Sequence, residues 1–532
     1  MFSAFVAAGA ISKANADDPK KSALVRCART DKGVHAAGNV ISLKLCDGES
    51  NIVEKINENL SSQIRIWGIQ RTVNSFSCYQ ACDSRWYEYL IPTHSFLPPH
   101  PSSHFGKKLV ELADEVGDRQ GYDDRQEEVL KFWSETEEKY IKPILDTLDD
   151  PIKDLVQKAL YYYGAGASDA AQSVSESVVE AMTVPQSTNS THDVQSTTLK
   201  DSKNEDIGPV NVDSAIDLPS LATDANGISA SEPQTDDRLQ ENMVDSSFAP
   251  EKDASTLEAP DLQPNDPPGE RSTASLPVPN LTLEEKKSLE AAIKQLRLAY
   301  NTAKRAHRIH AARLARIQPI LDMFLGTRNF HNYTVAKTFR DPSAKRIIKS
   351  FKLNPEPLII NGTEWLSLKI HGQSFMMHQI RKMVGMIALV IRCGCPTSRI
   401  AETFANVIVS IPKVPGLGLL LERPVFDSYN DGPAEKFSRP KVDFSKYEKE
   451  MEEFKQREIY ERIFREEEQG NAFHTFFAHV DNFKEPQFWY LSSKGLDAVK
   501  DVDKWKGKGK ATVSSTGVDS DDEESAGKEE DG

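Results

Sequence analysis

Two stretches of alternating apolar and polar residues bracket a tight polar turn near the start of the chain. Residues 24–28 alternate weakly, and residues 40–45 place Ile41, Leu43 and Leu45 on one side. That pattern predicts a strand, a turn and a second strand, with the intervening Ala28-Arg29-Thr30-Asp31-Lys32-Gly33-Val34-His35 on the connection. Residues 1–11 suit a short helix with Phe2, Phe5 and Val6 inward, and residues 51–60 a second one. Residues 64–69 read as a strand, and so do residues 84–91, which are rich in aromatic and branched side chains. Period-2 geometry sets Arg85, Tyr87 and Tyr89 on one face of that strand and Trp86, Glu88 and Leu90 on the other. Residues 106–163 pattern as charged helix.

Regular patterning resumes at Thr282, whose spacing to Glu285 suits a capping box. A helix is expected from there to about residue 317, carrying Lys286, Lys287, Lys294, Arg297, Lys304, Arg305, Arg308, Arg313 and Arg316. Strands are expected at 346–352 and 364–371. An apolar helix should follow the 375–385 string and run to residue 392, with a shorter one at 398–408. Residues 415–421 read as a closing strand, residues 445–468 as a charged amphipathic helix, and residues 473–490 as an aromatic-rich patch. Strands alternating with helices in this way imply an α+β sheet covered by helices.

Charge changes the picture. The 532 residues carry a net charge of −15, but residues 164–282 hold 21 acidic and 5 basic side chains, and residues 513–532 hold 8 and 1. The rest of the chain is therefore +8, a mildly basic body with two acidic appendages, and overall acidity does not argue against a nucleic-acid partner. Residues 164–282 are rich in Ser, Thr, Asp and Pro with Phe248 as their sole aromatic ring, so too little apolar surface is available to offset the entropy of ordering, and a disordered insertion is expected. The six cysteines lack zinc-finger spacing and are expected to be buried free thiols. No apolar run reaches the roughly 18 residues of a membrane span, and the apolar start lacks the basic flank of a signal peptide.

The residues that carry chemistry are few. A turn carboxylate such as Asp31, with Arg29 and Lys32 beside it, ordinarily bonds its own backbone. The longer string A-R-T-D-K-G-V-H-A-A-G-N-V-I-S-L-K-L, however, closely resembles the active-site segment of the TruA-type tRNA pseudouridine synthases, in the form of their eukaryotic branch. Arg85-Trp86-Tyr87-Glu88-Tyr89 resembles the family's R-x-Y-x-Y strand. Residues 326–334 are similar to its G-T-x-N-F-x-N-F-T segment, residues 377–385 to the segment whose Arg pairs with the catalytic Asp, and residues 416–421 to the strand closing its second half. The matches cover residues 1–105 and 283–430, and residues 473–477 resemble the eukaryotic extension. The family's usual first strand, bearing a G-Y-x-G-x-x-Y-x-G-x-Q-like motif, has no counterpart before the first helix.

The resemblance implies two ferredoxin-like lobes with a largely antiparallel sheet and a central cleft. The N-terminal catalytic lobe would be 1–105, short at its start, followed by a helical insertion at 106–163 and the acidic insertion at 164–282. A basic helix and C-terminal lobe would occupy 283–430, a helical extension 431–505 and an acidic tail 506–532. It implies Asp31 as nucleophile, Arg381 as the cation that keeps it ionised, and Tyr87 as the ring against the target base and the acceptor of its carbon-5 proton. Arg29 would fill the space left by a flipped base, with Lys32, Arg85, His378 and Lys382 also contacting substrate; His35 and His378 read as structural rather than catalytic. The implied substrate is tRNA, with snRNA and mRNA as further candidates, acted on by a monomer in the nucleus without cofactor or metal. The basic run at 286–316 is a candidate RNA-backbone contact.

Three rival readings have distinct consequences. An RNA N-glycosidase would call for a second carboxylate across the sugar. A catalytically impaired RNA-binding member of the same family would keep its role after Asp31→Ala. A scaffold acting through the acidic insertion would lose function when residues 164–282 are deleted.

Overall fold

In a computed structural model the described residues are 1–46, 51–149, 152, 153, 155, 156 and 282–500. The expected acidic insertion, except Thr282, and the acidic tail lie outside them. The elements in order are α1 (Phe2–Ala7), β1 (Val25–Arg26), β2 (His35–Ala36), β3 (Ile41–Ser42), α2 (Ile52–Glu58), β4 (Ser84–Pro92) and α3 (His104–Glu115). After the insertion come α4 (Leu283–Ala306), β5 (Gly326–Asn329), β6 (Lys345–Leu353), β7 (Leu358–Ile360), β8 (Thr363–Gly372), α5 (Gln379–Arg392), β9 (Leu419–Val425), α6 (Glu461–Gly470) and α7 (Ala472–Asn482), with shorter turns of helix between.

Seven strands form one mixed sheet in the order β2-β9-β4-β8-β6-β5, with β7 paired to β8. Only β2 and β9 run parallel; every other neighbouring pair is antiparallel. The central strand β4 comes from the first stretch of chain and lies between β8 and β9 from the second, so the sheet crosses the insertion without a seam. Beneath it α5 is buried along almost its whole length, as expected of a segment apolar on every face. It packs on the short helix Ile317–Asp322 and on the 3-10 turn Thr93–Phe96.

Several sequence expectations give way to tertiary context. Residues 64–69 form no strand; the Asn57 amide clamps both backbone groups of Ile66 at 2.8 Å, meeting the pairing need that a neighbouring strand would have met. The strands at 24–28 and 40–45 shrink to β1 and β3, and the chain between them detours through β2 into the large sheet. The basic helix starts at the predicted capping box but stops at Ala306. Residues 307–310 are extended, because the Ile309 N–H is taken by the Glu364 carboxylate at 2.7 Å and Arg308 donates to the Gly362 carbonyl.

That break redirects the cations. Arg313 is fully buried and donates to Gln126, Arg316 pairs with Glu128, and Arg305 donates to the Glu468 carbonyl and Asn471. At least five of the nine proposed RNA-facing cations, Lys304 and the exposed Arg308 included, are thus bonded to other groups of the fold. The helix at 398–408 is likewise reduced to Arg399–Glu402, because Asn332 captures the carbonyls of Thr403 and Val407. The six cysteines are free thiols, four of them buried.

Candidate active site

Asp31 opens a β-turn in which its carbonyl accepts the Val34 N–H at 3.1 Å, with Gly33 at φ 78°. A side chain is disfavoured there, which accounts for the glycine. The turn is tied down on both flanks: Cys27 N–H donates to the Val40 carbonyl, and the Asn39 amide donates to the Ala28 carbonyl. The carboxylate projects into a cleft of about 700 Å³ lined by Arg29, Thr30, Lys32, Tyr87, Phe375 and His378 among others.

The opposite wall is the start of α5. His378 sits at its N-cap in the left-handed region, φ 62° and ψ 0°, a conformation costly for a residue with a β-carbon and held only where neighbours impose it. They do: Thr334 Oγ1 donates to the Met377 carbonyl at 3.0 Å, and Lys382 Nζ to the Thr334 carbonyl at 3.0 Å. The 326–334 segment is therefore a brace for the α5 N-terminus. So oriented, His378 Nδ1 lies 2.7 Å from Asp31 Oδ2, while Arg381 Nη1 reaches the same oxygen at 3.5 Å. Arg381 is itself aimed by its Nε donating to the Val414 carbonyl at 2.8 Å. Burial pushes the Asp31 carboxyl up, but the His378 hydrogen bond and charge, then the Arg381 charge, outweigh it and hold the pKa below the usual carboxylate value.

Tyr87 is buried on β4 at the cleft floor, its ring edge-on to Phe375 at 5.2 Å. Burial pushes its hydroxyl up to about 12, so it is a neutral phenol at pH 7. The neighbouring Tyr89 hydroxyl donates to the Pro415 carbonyl at 2.6 Å, locking the loop that carries Val414. Glu88 points the other way, buried and bonded by Ser367 and Tyr460.

The structure thus brings Asp31, Tyr87, Arg381, Arg29, Lys32 and His378 together. Arg85 and Lys382 do not line the cleft. The Arg85 guanidinium donates to the Cys27 carbonyl at 2.9 Å and Lys382 to Thr334, so both cations brace the walls from behind. His35 stands apart, half-buried on β2. Sequence reading missed Phe375, whose position beside Met376-Met377-His378 gave a signal only once Tyr87 was placed opposite. It also missed the Val414 carbonyl, which no side-chain pattern marks.

The family model described as tRNA pseudouridine synthase matches residues 320–427. The chain is 36% identical over 498 residues to tRNA pseudouridine synthase 1 of Yarrowia lipolytica, covering 93% of this chain and 72% of that relative. The Schizosaccharomyces pombe protein of the same name is 35% identical over 504 residues, 93% and 80% of the two chains. The chain belongs to the TruA-type tRNA pseudouridine synthases. The Saccharomyces cerevisiae tRNA pseudouridine synthase 1 is 33% identical over 485 residues, in line with the eukaryotic form of the Asp31 string. As a pseudouridine synthase it is an isomerase, and no helix among the described residues is long and apolar enough to cross a membrane.

Within this pseudouridine synthase the seat of Arg381 is testable through Gly385. A β-carbon there would stand 2.7 Å from the Pro412 carbonyl oxygen, so the 412–414 segment would have to move and carry Val414 with it. A mid-helix Gly→Ala change ordinarily stabilises by about 0.5–1 kcal/mol. Gly385→Ala should instead destabilise by about 1–3 kcal/mol through overpacking and lower kcat/KM, checked by thermal unfolding and single-turnover rates.

Proposed function

We propose that this protein isomerises uridine to pseudouridine in tRNA, with Asp31 as the nucleophile. The observation that carries this reading is the ionised Asp31 carboxylate in the cleft, gripped by His378 and Arg381 from the far end of the chain. The reaction breaks the N-glycosidic bond, turns the uracil and rejoins the ribose through carbon 5. The proton on carbon 5 departs and N1 gains one, so electrons balance without a cofactor. One carboxylate suffices as covalent catalyst. A target in a stem must first flip out at a cost of a few kcal/mol, and exposed Arg29 at the cleft mouth is suited to fill the gap. Folded RNA would be held through phosphate contacts and read by shape.

Tyr87 would lie against the flipped base and relay the carbon-5 proton as the ring regains aromaticity, its neutral hydroxyl passing its own proton to water as it receives the one leaving carbon 5. Tyr87→Phe keeps the ring and removes the hydroxyl. It should lower single-turnover rate by about 10²-fold or more while leaving tRNA Kd unchanged, measured by tritium release from carbon 5. An unchanged rate would restrict Tyr87 to stacking.

The arrival of Asp31 and Arg381 from opposite halves of the sequence supports two pseudo-twofold lobes flanking the cleft. The resemblance to the multisite nuclear branch supports snRNA and mRNA as further substrates, a monomer, and a nuclear location, checked by a fluorescent fusion. The reading as a whole is tested by pseudouridine formation on unmodified tRNA transcript, wild type against Asp31→Ala. If both are equally inactive yet bind tRNA, the protein is an RNA-binding member of the family.

A further inference from the structure

Residues 326–352 hold seven Lys or Arg side chains against one acid, Asp341. Lys337 pairs with Asp341 at 2.9 Å, and Lys352 with Asp322 at 3.8 Å. Among the described residues, Arg328, Arg340, Lys345, Arg346 and Lys349 have no carboxylate within ion-pair distance.

Two of these cations face each other. β5 ends the sheet, and its register on β6 sets Arg328 directly opposite Arg346. Like charges so placed are destabilising, because their β-carbons stand only about 5 Å apart. Neither strand carries an acid that could offset the repulsion. Each guanidinium bonds one backbone carbonyl, Arg328 that of Met323 at 3.5 Å and Arg346 that of Lys345 at 3.0 Å. Arg328 is exposed and Arg346 half-buried.

The register also fixes which face the pair occupies. Arg85 on β4 lies opposite Gly372 on β8, and Gly372 opposite Ile348 on β6. Arg346 comes two residues before Ile348 and Tyr87 two after Arg85, so strand alternation puts Arg328, Arg346 and Tyr87 on one face of the sheet. Phe375 of the cleft wall rests on that same face. A β-carbon at Gly372 would stand 2.6 Å from its ring. The arginine pair is therefore on the cleft side of the sheet, outward of that wall, at the sheet's edge.

We propose that Arg328 and Arg346 together clamp one phosphate of the tRNA backbone, carrying the strand that leaves the cleft across the β5–β6 edge. This rests on the reading at Asp31 only in taking RNA as the substrate. Two guanidiniums at this spacing can each give charge-assisted hydrogen bonds to one phosphate, and the anion between them turns their repulsion into attraction.

The test measures tRNA binding by the full chain, both wild type and Asp31→Ala, so that the outcome does not depend on turnover. Arg328→Gln/Arg346→Gln in either background should weaken binding about tenfold at about 0.1 M salt and flatten the dependence of log K on log salt by about 1, the loss of one phosphate contact. Its unfolding temperature should not fall, since the repulsion is removed with the charges. Lys446→Gln/Lys449→Gln makes the same change of charge on exposed side chains beside Glu448 and Glu450, and should leave affinity and salt dependence as they were. Modification of Arg328 by a phenylglyoxal reagent in the wild type, mapped by peptide mass spectrometry, needs no variant: tRNA should protect it, and sodium chloride at matched ionic strength should not. Unchanged binding overturns the proposal, and aggregation alongside it would make the two arginines guards of the sheet edge. Equal losses in the arginine and lysine variants, or no protection of Arg328 by tRNA, overturn it as well. Turnover that survives Asp31→Ala would overturn the catalytic reading instead and leave this binding result standing.

Discussion

Asp31→Ala should cut pseudouridine formation on unmodified tRNA transcript by about 10⁴-fold or more, because the nucleophile proposed at Asp31 has no substitute among the cleft residues. Folding should survive: Asp31 is partly exposed at a turn whose backbone is fixed by Val34, Val40 and Asn39 rather than by the carboxylate. Binding should survive as well, with tRNA Kd within about threefold, since phosphate contacts dominate affinity and the change removes a negative charge. The two measurements together discriminate. Loss of both would mean that Asp31 holds the cleft together, and loss of neither would place the chemistry elsewhere.

Arg381→Met should be the next most damaging change, lowering kcat/KM by about 10²- to 10³-fold at pH 7, or about 3–4 kcal/mol of transition-state stabilisation. The side chain is nearly buried and links two things, the Asp31 carboxylate at 3.5 Å and the Val414 carbonyl at 2.8 Å. Its removal leaves burial opposed mainly by His378. The sign of the pH effect follows. In the wild type the folded pKa of Asp31 lies below its unfolded value, so the stabilisation from its ionised form is present above the unfolded pKa and lost as pH falls through the folded one. Between about pH 5 and 9 the carboxylate stays charged and imposes no acid limb. In Arg381→Met the folded pKa rises, and the acid limb of kcat/KM should move to higher pH. A uniform loss at every pH would mean that Arg381 acts only as a strut for the 412–414 loop.

Much of this protein could be read from its residues in order. Period 2 over 84–91 put Tyr87 on the face that became the cleft floor, because alternation is fixed by strand geometry whatever the strand packs against. The capping box at Thr282, the apolar helix through residue 392 and the turn at Gly33 were equally local, each set by contacts within a few residues. The string around Asp31 and four further ordered motifs carried the family.

Tertiary structure decided the rest, wherever a group's partner came from far along the chain. Arg313 and Arg316 looked like solvent-facing cations until Gln126 and Glu128 were folded against them. Residues 64–69 had the composition of a strand but lost that role to the Asn57 side chain. His378 read as structural, yet it meets Asp31 347 residues away, because a left-handed backbone angle imposed by Thr334 turns its ring into the cleft. Propensity and periodicity act over one or two turns of chain, and so they determined the elements. Pairing of buried charges and satisfaction of backbone carbonyls act through space, and so only the fold could determine which cations serve the cleft and which serve the core.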